Sequence, residues 1–268
     1  MSKPNLQREI EKAWCLATAP FRSLPDFLIP GAPKCGTSSL FDLIMLHPDA
    51  RRGWRKEPTN FLHYPTSALR SRMNQPLQLG RFICGEGSVE YFFHPDAPGN
   101  AAAIVPEARI IFLLRDPVLR AWSEYRMFVR SGHEKSDFPH CVEKAVQWLS
   151  NPDLQPLIDS ASRNSFNPVR YVRCGMYAEL IAAWQKSFAK DRILVLFAED
   201  FFADPKRTAE QVFSFLGLRP HVVDEWPHAR DGGSKEPPPL GASQLMLDFY
   251  RPHNERLREM LGRDLPWG

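Results

Sequence analysis

The chain has 268 residues, 43% hydrophobic and 12% aromatic, enough for one large α/β domain with a substantial core. Its net charge is only +3, with both signs interspersed. That argues against a nucleic-acid binder with a concentrated basic face, and leaves room for a few cations focused in one anion-binding cleft. In chain order, Met1 to Arg22 holds only the interrupted apolar run Trp14-Cys15-Leu16-Ala17-Thr18-Ala19, too short for a signal h-region or a membrane span. Residues 1–24 therefore read as an N-terminal extension and 25–268 as the domain. Strands are predicted near 26–30, 81–85, 109–115 and 192–197. Helices are predicted near 37–46, 97–104, 117–131, 138–149, 177–189, 205–216 and 242–261. Strands alternating with helices predict a central parallel sheet covered by helices on both faces. Residues 51–80 and 150–174 read as long loops placed to cover a substrate.

The 25 prolines cluster at element ends and in Pro237-Pro238-Pro239, as stiff connections would require. The five cysteines (Cys15, Cys35, Cys84, Cys141, Cys174) are an odd number without zinc spacing. They read mostly as reduced, buried small hydrophobes. A Cys141–Cys174 bridge stays open, because disulfides depend on a compartment the sequence does not name.

Two segments carry chemistry. The apolar run Phe27-Leu28-Ile29 leads into Pro30-Gly31-Ala32-Pro33-Lys34-Cys35-Gly36-Thr37-Ser38-Ser39-Leu40 and then a helical pattern. A strand, a tight turn rich in Gly and hydroxyl residues, and a helix N-terminus together favour an anion, most often a phosphate. The turn resembles a Walker A loop, giving a P-loop-like fold. Gly36, however, is followed by Thr37, and Lys34 lies inside the loop instead of after the second glycine. The second segment is the buried-strand run Ala108-Arg109-Ile110-Ile111-Phe112-Leu113-Leu114, ending in Arg115-Asp116-Pro117 with Ser123 two helical turns on. Arg115 sits at a strand's carboxyl end, where open α/β sheets bind ligands. An acidic metal ligand would occupy that place in a Walker B strand, so this strand suits an anionic group better than a metal. The competing reading of Arg115 is a pairing with a carboxylate at the helix start, with Asp116 as a plain N-cap.

Together these segments resemble the sulfotransferases that use 3′-phosphoadenosine 5′-phosphosulfate (PAPS), over roughly residues 25 to 267. Pro33 to Leu40 is similar to the family's 5′-phosphosulfate loop, and Arg115 with Ser123 to its 3′-phosphate element. Lys56-Glu57-Pro58, Gly85-Glu86-Gly87-Ser88 and Gly175-Met176-Tyr177 follow in the family's order. The resemblance is closest to the carbohydrate branch, namely the heparan sulfate sulfotransferases and the enzyme that 6-sulfates N-acetylgalactosamine 4-sulfate.

It implies PAPS as donor, 3′,5′-ADP (PAP) as product, no metal, and a carbohydrate or small-molecule hydroxyl as acceptor. It implies that Lys34, Cys35, Gly36, Thr37, Ser38, Ser39, Arg115, Ser123 and Tyr177 line the donor site. Gly233, Ser234 and Lys235 would close over its 3′-phosphate. Glu57 is the first choice of general base, with Lys56 beside it contacting substrate or donor and Glu86 the runner-up. Lys34 would stabilise charge on the bridging oxygen. Thr59 and Gly87 stand where heparan sulfate 3-O-sulfotransferases often carry His and Lys, which argues against heparan sulfate as the acceptor. The Golgi members carry a membrane anchor that is not seen here. The expectation is a soluble, cytoplasmic enzyme, with a Golgi-lumen location only for a longer chain.

His63, His94 and His133 are weaker base candidates and read mainly as surface or packing residues. Trp54, Phe61, Tyr64, Tyr91, Phe92 and Phe93 could stack on an acceptor ring but read mainly as anchors. Trp122 and Tyr125 read as packing against the sheet. A P-loop kinase and a non-catalytic nucleotide-binding protein are the rival readings. The displaced Lys34 and the cation at Arg115 weigh against the first, and the intact set Lys34, Glu57, Arg115 and Ser123 against the second.

Overall fold

Among the described residues five parallel strands form the sheet. In this computed structural model residues 6–54, 57–62, 75–161, 169–223 and 236–267 are described. The strands are β1 (Phe27–Gly31), β2 (Ala50–Arg52), β3 (Ile83–Glu86), β4 (Arg109–Leu114) and β5 (Ile193–Phe197). Their order is β2-β3-β1-β4-β5. Every residue of β1 is buried, and in β4 all but Arg109. Burial on both faces is the usual condition of a parallel strand. Strand β2, Ala50-Arg51-Arg52, was not expected. Only Ala50 is buried in it, so it shows no apolar run and exists as an edge strand through its pairing with Ile83, Cys84 and Gly85.

The helices are α1 (Leu6–Thr18), α2 (Thr37–Ile44), α3 (Ala97–Ile104), α4 (Pro117–Arg130), α5 (Phe138–Leu149), α6 (Gln155–Ala161), α7 (Arg170–Arg173), α8 (Tyr177–Gln185), α9 (Ala198–Ala203), α10 (Pro205–Phe215) and α11 (Leu240–Leu261). Three start on one device. Asp116, Asp137 and Asp204 each accept first-turn N–H bonds, with a proline in that turn whose missing N–H is no loss. The sheet and its covering helices share one core. A second apolar cluster lies among helices, with Phe138, Val142, Tyr171, Met246 and Tyr250 at its centre.

That second cluster corrects two expectations. Trp122 and Tyr125 pack on Phe138 of α5, with ring centres 5.0 and 5.1 Å apart, and not on the sheet. Much of 150–174 is helical, as α6 and α7, because Ile158, Tyr171 and Val172 are buried in this cluster. Pieces of four to seven residues are too short to show helical periodicity in sequence. All five cysteines are buried and free, so Cys141 and Cys174 do not pair.

Ahead of the sheet, α1 leads into a segment tied to residues 75–78. Ser23 N–H donates to the Pro76 carbonyl, and the Arg22 guanidinium to that of Gln75. Among the described residues no helix is long and apolar enough to cross a membrane.

Candidate active site

Strands β1 and β4 are neighbours, so the loops at their carboxyl ends must meet. The Ala32 N–H donates to the Leu113 carbonyl at 2.9 Å and joins the two loops at their root. The chain leaves β1 toward β3 and β2, then returns to the other side of β1 for β4. This reversal of direction opens the crevice in which doubly wound sheets bind ligands.

In the first loop, Lys34 (φ +68°) and Gly36 (φ +94°) both adopt left-handed backbone, and Gly36 caps α2. The first-turn N–H groups of a helix have no intrahelical partner; here they belong to Thr37, Ser38 and Ser39. A Cβ on Gly36 would lie 2.7 Å from Cζ of Phe202 and would require the φ that L-residues avoid. Gly36→Ala is therefore expected to lower stability by about 1–2 kcal/mol and to weaken binding of 3′,5′-ADP, which calorimetry and thermal melts would check. The Cys35 side chain is buried, and burial pushes its thiol up to about 12, so only its main chain is available to a ligand.

Lys34 is half-buried, with Nζ 3.7 Å from Sδ of Met127 on α4. Burial lowers its pKa from the ordinary lysine value. Arg130, Arg115 and Arg120 add repulsion, and Glu124 partly offsets them. The site is thus a convergence of cations.

Arg115 follows β4 and is half-buried, and no carboxylate pairs with it among the described residues. Its main chain is fixed from two sides: its carbonyl accepts from Tyr177 OH at 2.7 Å, and the next N–H, of Asp116, donates to Glu199 at 3.0 Å. Tyr177 is itself buried and acts here on the backbone of Arg115. The Asp116 carboxylate caps α4 through Val118 and Leu119 N–H. Ser123, half-buried, lies one turn before Met127 on the helix face that meets Lys34. Arg115, Ser123 and the Lys34 loop therefore gather at one end of β1 and β4.

The other carboxylates stand across β1, on the β3 side. Glu57 is exposed, just ahead of a 3-10 turn, Asn60–Leu62. Glu86 ends β3, fully buried, and accepts a hydrogen bond from Tyr91 OH. Thr59 N–H donates to Ser88 Oγ and Phe61 N–H to Tyr91 Oη, each at 3.3 Å, so the two segments are tied together. Phe61, Tyr91, Phe92 and Phe93 are buried as anchors, while Trp54 is partly exposed. His94 is buried and accepts from Asp96 N–H; His133 is exposed. Lys56, His63, Tyr64, Gly233, Ser234 and Lys235 lie outside the described residues.

Sequence reasoning missed a buried charge network behind Lys34. Arg120 donates to Glu124 at 2.8 Å and also to the Tyr171 carbonyl. Arg170 donates to the other Glu124 oxygen at 2.8 Å and to Glu90 at 3.2 Å. The i,i+4 spacing of Arg120 and Glu124 was the available signal. Arg170 and Glu90 join only through the fold.

A parallel sheet in this order, with a glycine-containing turn and a helix N-terminus after its central strand and, after the neighbouring strand, an arginine that no carboxylate among the described residues pairs with, defines a P-loop-like α/β domain. The sulfotransferase domain model matches residues 24–231, and the chain belongs to the sulfotransferase family. It is 28% identical over 303 residues to carbohydrate sulfotransferase 15 of Mus musculus, covering 90% of this chain and 54% of that protein. It is 30% identical over 283 residues to heparan sulfate glucosamine 3-O-sulfotransferase 6 of Homo sapiens, covering 94% and 77%. A sulfotransferase from Alicyclobacillus acidocaldarius superposes with a TM-score of 0.68 at 25% identity, over 91% of this chain and 98% of the other. The chain thus spans about half the length of carbohydrate sulfotransferase 15.

Proposed function

We propose that the protein transfers a sulfuryl group from PAPS to a hydroxyl, of a carbohydrate in the first instance, and that residues 25–268 are the catalytic domain. One observation carries this reading: Lys34, Arg115 and Ser123 gather at the carboxyl ends of β1 and β4 with no carboxylate paired to Arg115 among the described residues. A loop with left-handed backbone at Lys34 and Gly36, opening onto the N-terminus of α2, suits a phosphosulfate donor better than a neutral ligand. The names of the relatives, carbohydrate sulfotransferase 15 and heparan sulfate glucosamine 3-O-sulfotransferase 6, support the acceptor class.

The donor supplies an activated sulfuryl group on a phosphate leaving group. The chain must then align acceptor and donor, offset the charge that develops on the bridging oxygen, and take the acceptor's proton. In this reading the first-turn N–H groups and hydroxyls of Thr37, Ser38 and Ser39 orient the 5′-phosphate end. Arg115 and Ser123, and by resemblance Gly233, Ser234 and Lys235, take the 3′-phosphate. Lys34, partly desolvated and backed by Met127, holds a proton where the bridging oxygen gains charge. Glu57, exposed on the opposite side of β1, takes the acceptor proton, and by resemblance Lys56, the preceding residue in sequence, contacts substrate or donor.

Calorimetric titration with 3′,5′-ADP, without magnesium, tests the site. A Kd on the order of 1 μM, about −8 kcal/mol, is expected, weakened by roughly 2 kcal/mol or more in Arg115→Ala. No binding, or binding only of ATP with magnesium, would overturn the reading in favour of a kinase.

A further inference from the structure

We propose that Glu86 is a positioning residue: as a proton-bearing carboxyl it holds, through Tyr91, the segment that carries Glu57. Its catalytic consequence rests on the function proposed above; its structural consequence does not.

The geometry is a short relay. Glu86 Oε1 accepts from Tyr91 OH, and Tyr91 Oη accepts from Phe61 N–H, so the phenol's single proton and a lone pair are both committed. Ser88, two residues after Glu86, receives Thr59 N–H. Thr59 has φ +54°, left-handed backbone that a β-branched residue avoids, so this turn is held by its partners and not by its own preference. Glu57 stands two residues before it.

Among the described residues Glu86 Oε2 is buried with no hydrogen-bond partner, and Tyr91 is the titratable group that faces Glu86. Strand β1 alongside, Phe27 to Gly31, brings no titratable side chain, and neither does the turn Asn60–Leu62; on the other side β2 brings Arg51 and Arg52, which are directed to the Pro48 and Ala50 carbonyls and to Asp42. Glu90, on the same turn as Tyr91, is directed to Arg170. A fully buried carboxylate with one hydrogen bond and no cation is costly, whereas a carboxyl keeps the same hydrogen bond without the charge. Burial accordingly pushes Glu86 up to about 8, against a smaller lowering from the Tyr91 hydrogen bond.

The sign of the linkage follows. The unfolded chain releases this proton near the ordinary Glu value and the folded chain only near 8. Stability is therefore full below the lower value and falls as pH rises between the two. Glutamine mimics the carboxyl and has no such slope.

The test compares Glu86→Gln, Glu86→Ala and Tyr91→Phe with wild type and Glu57→Gln. The readouts are melting temperature against pH, hydrogen exchange at the Thr59 and Phe61 amides, binding of 3′,5′-ADP, and sulfuryl transfer against pH. Glu86→Gln is expected to stay within roughly five-fold of wild-type kcat near neutral pH, while Glu57→Gln loses about 10²-fold or more. Its melting temperature, relative to wild type, should rise steadily from acid to mildly alkaline pH. Its activity should persist above pH ~8, where wild type declines. Lys34 titrates in both proteins, so the difference between the two profiles isolates Glu86. Glu86→Ala and Tyr91→Phe should speed exchange at both amides and leave 3′,5′-ADP binding intact.

Loss of activity in Glu86→Gln as complete as in Glu57→Gln would make Glu86 the base and overturn the proposal. So would exchange at Phe61 indifferent to Tyr91→Phe, or a wild-type pH slope of stability in Glu86→Gln. If wild type turns over no acceptor, the functional reading fails, and the exchange and melting results still decide the role of Glu86.

Discussion

Glu124→Ala is expected to lower folding stability by about 3–5 kcal/mol, the range for breaking a buried ion pair by removing one partner. Glu124 is completely buried and receives two guanidinium groups, from Arg120, also completely buried, and from Arg170, 4% exposed. Burial alone would raise its pKa, but Arg120 and Arg170 outweigh that and hold the carboxyl below the usual Glu value. The alanine variant leaves two cations in the core without their shared anion. A loss of that size corresponds to a drop of roughly 10 °C in melting temperature for a domain this large. A drop below about 2 °C would show that water or Glu90 replaces the lost carboxylate. The sign with pH is also set. Glu124 is depressed in the fold, so its contribution is present above the unfolded-state pKa and disappears as pH falls through the folded one. Melting curves of wild type and variant should therefore converge in acid. A functional effect follows as well: Glu124 is the anion that partly offsets the arginines around Lys34, so its loss lowers the Lys34 pKa further.

Glu57→Gln is expected to reduce kcat by about 10²–10⁴-fold, the usual contribution of a general base, with 3′,5′-ADP affinity unchanged. The amide keeps the shape of the side chain and cannot take a proton. Lys34→Ala is expected to lose about 10²–10³-fold through the missing charge at the bridging oxygen, and should weaken the donor product only modestly. The pair separates the two proposed roles. Single-turnover measurements with labelled donor would check both. A Glu57→Gln enzyme with wild-type kcat would remove Glu57 from the mechanism.

What could be read from sequence was whatever depends on neighbours along the chain. The buried runs at Phe27–Gly31 and Arg109–Leu114, the Asp-Pro helix starts at 116–117 and 204–205, and the loop with Gly36 at the N-terminus of α2 are all local. Their physics is set within a few residues: both-face burial, a fixed proline φ, a glycine at positive φ. The parallel α/β class and the place of Lys34 and Arg115 at strand ends followed from them.

Tertiary structure decided everything that needs two distant segments to be neighbours. Strand β2 has no apolar pattern and exists because β3 offers it an edge. The second helical cluster draws Trp122 and Tyr125 away from the sheet and turns part of a supposed loop into α6 and α7. Arg120 and Glu124 lie four residues apart, but the Arg170 that makes their pairing a network comes from 46 residues on. Glu86 and Glu57 look alike in sequence, as two acidic residues in polar motifs. Only the fold buries one against Tyr91 and leaves the other exposed, because desolvation depends on what packs around a carboxyl and not on what flanks it in the chain.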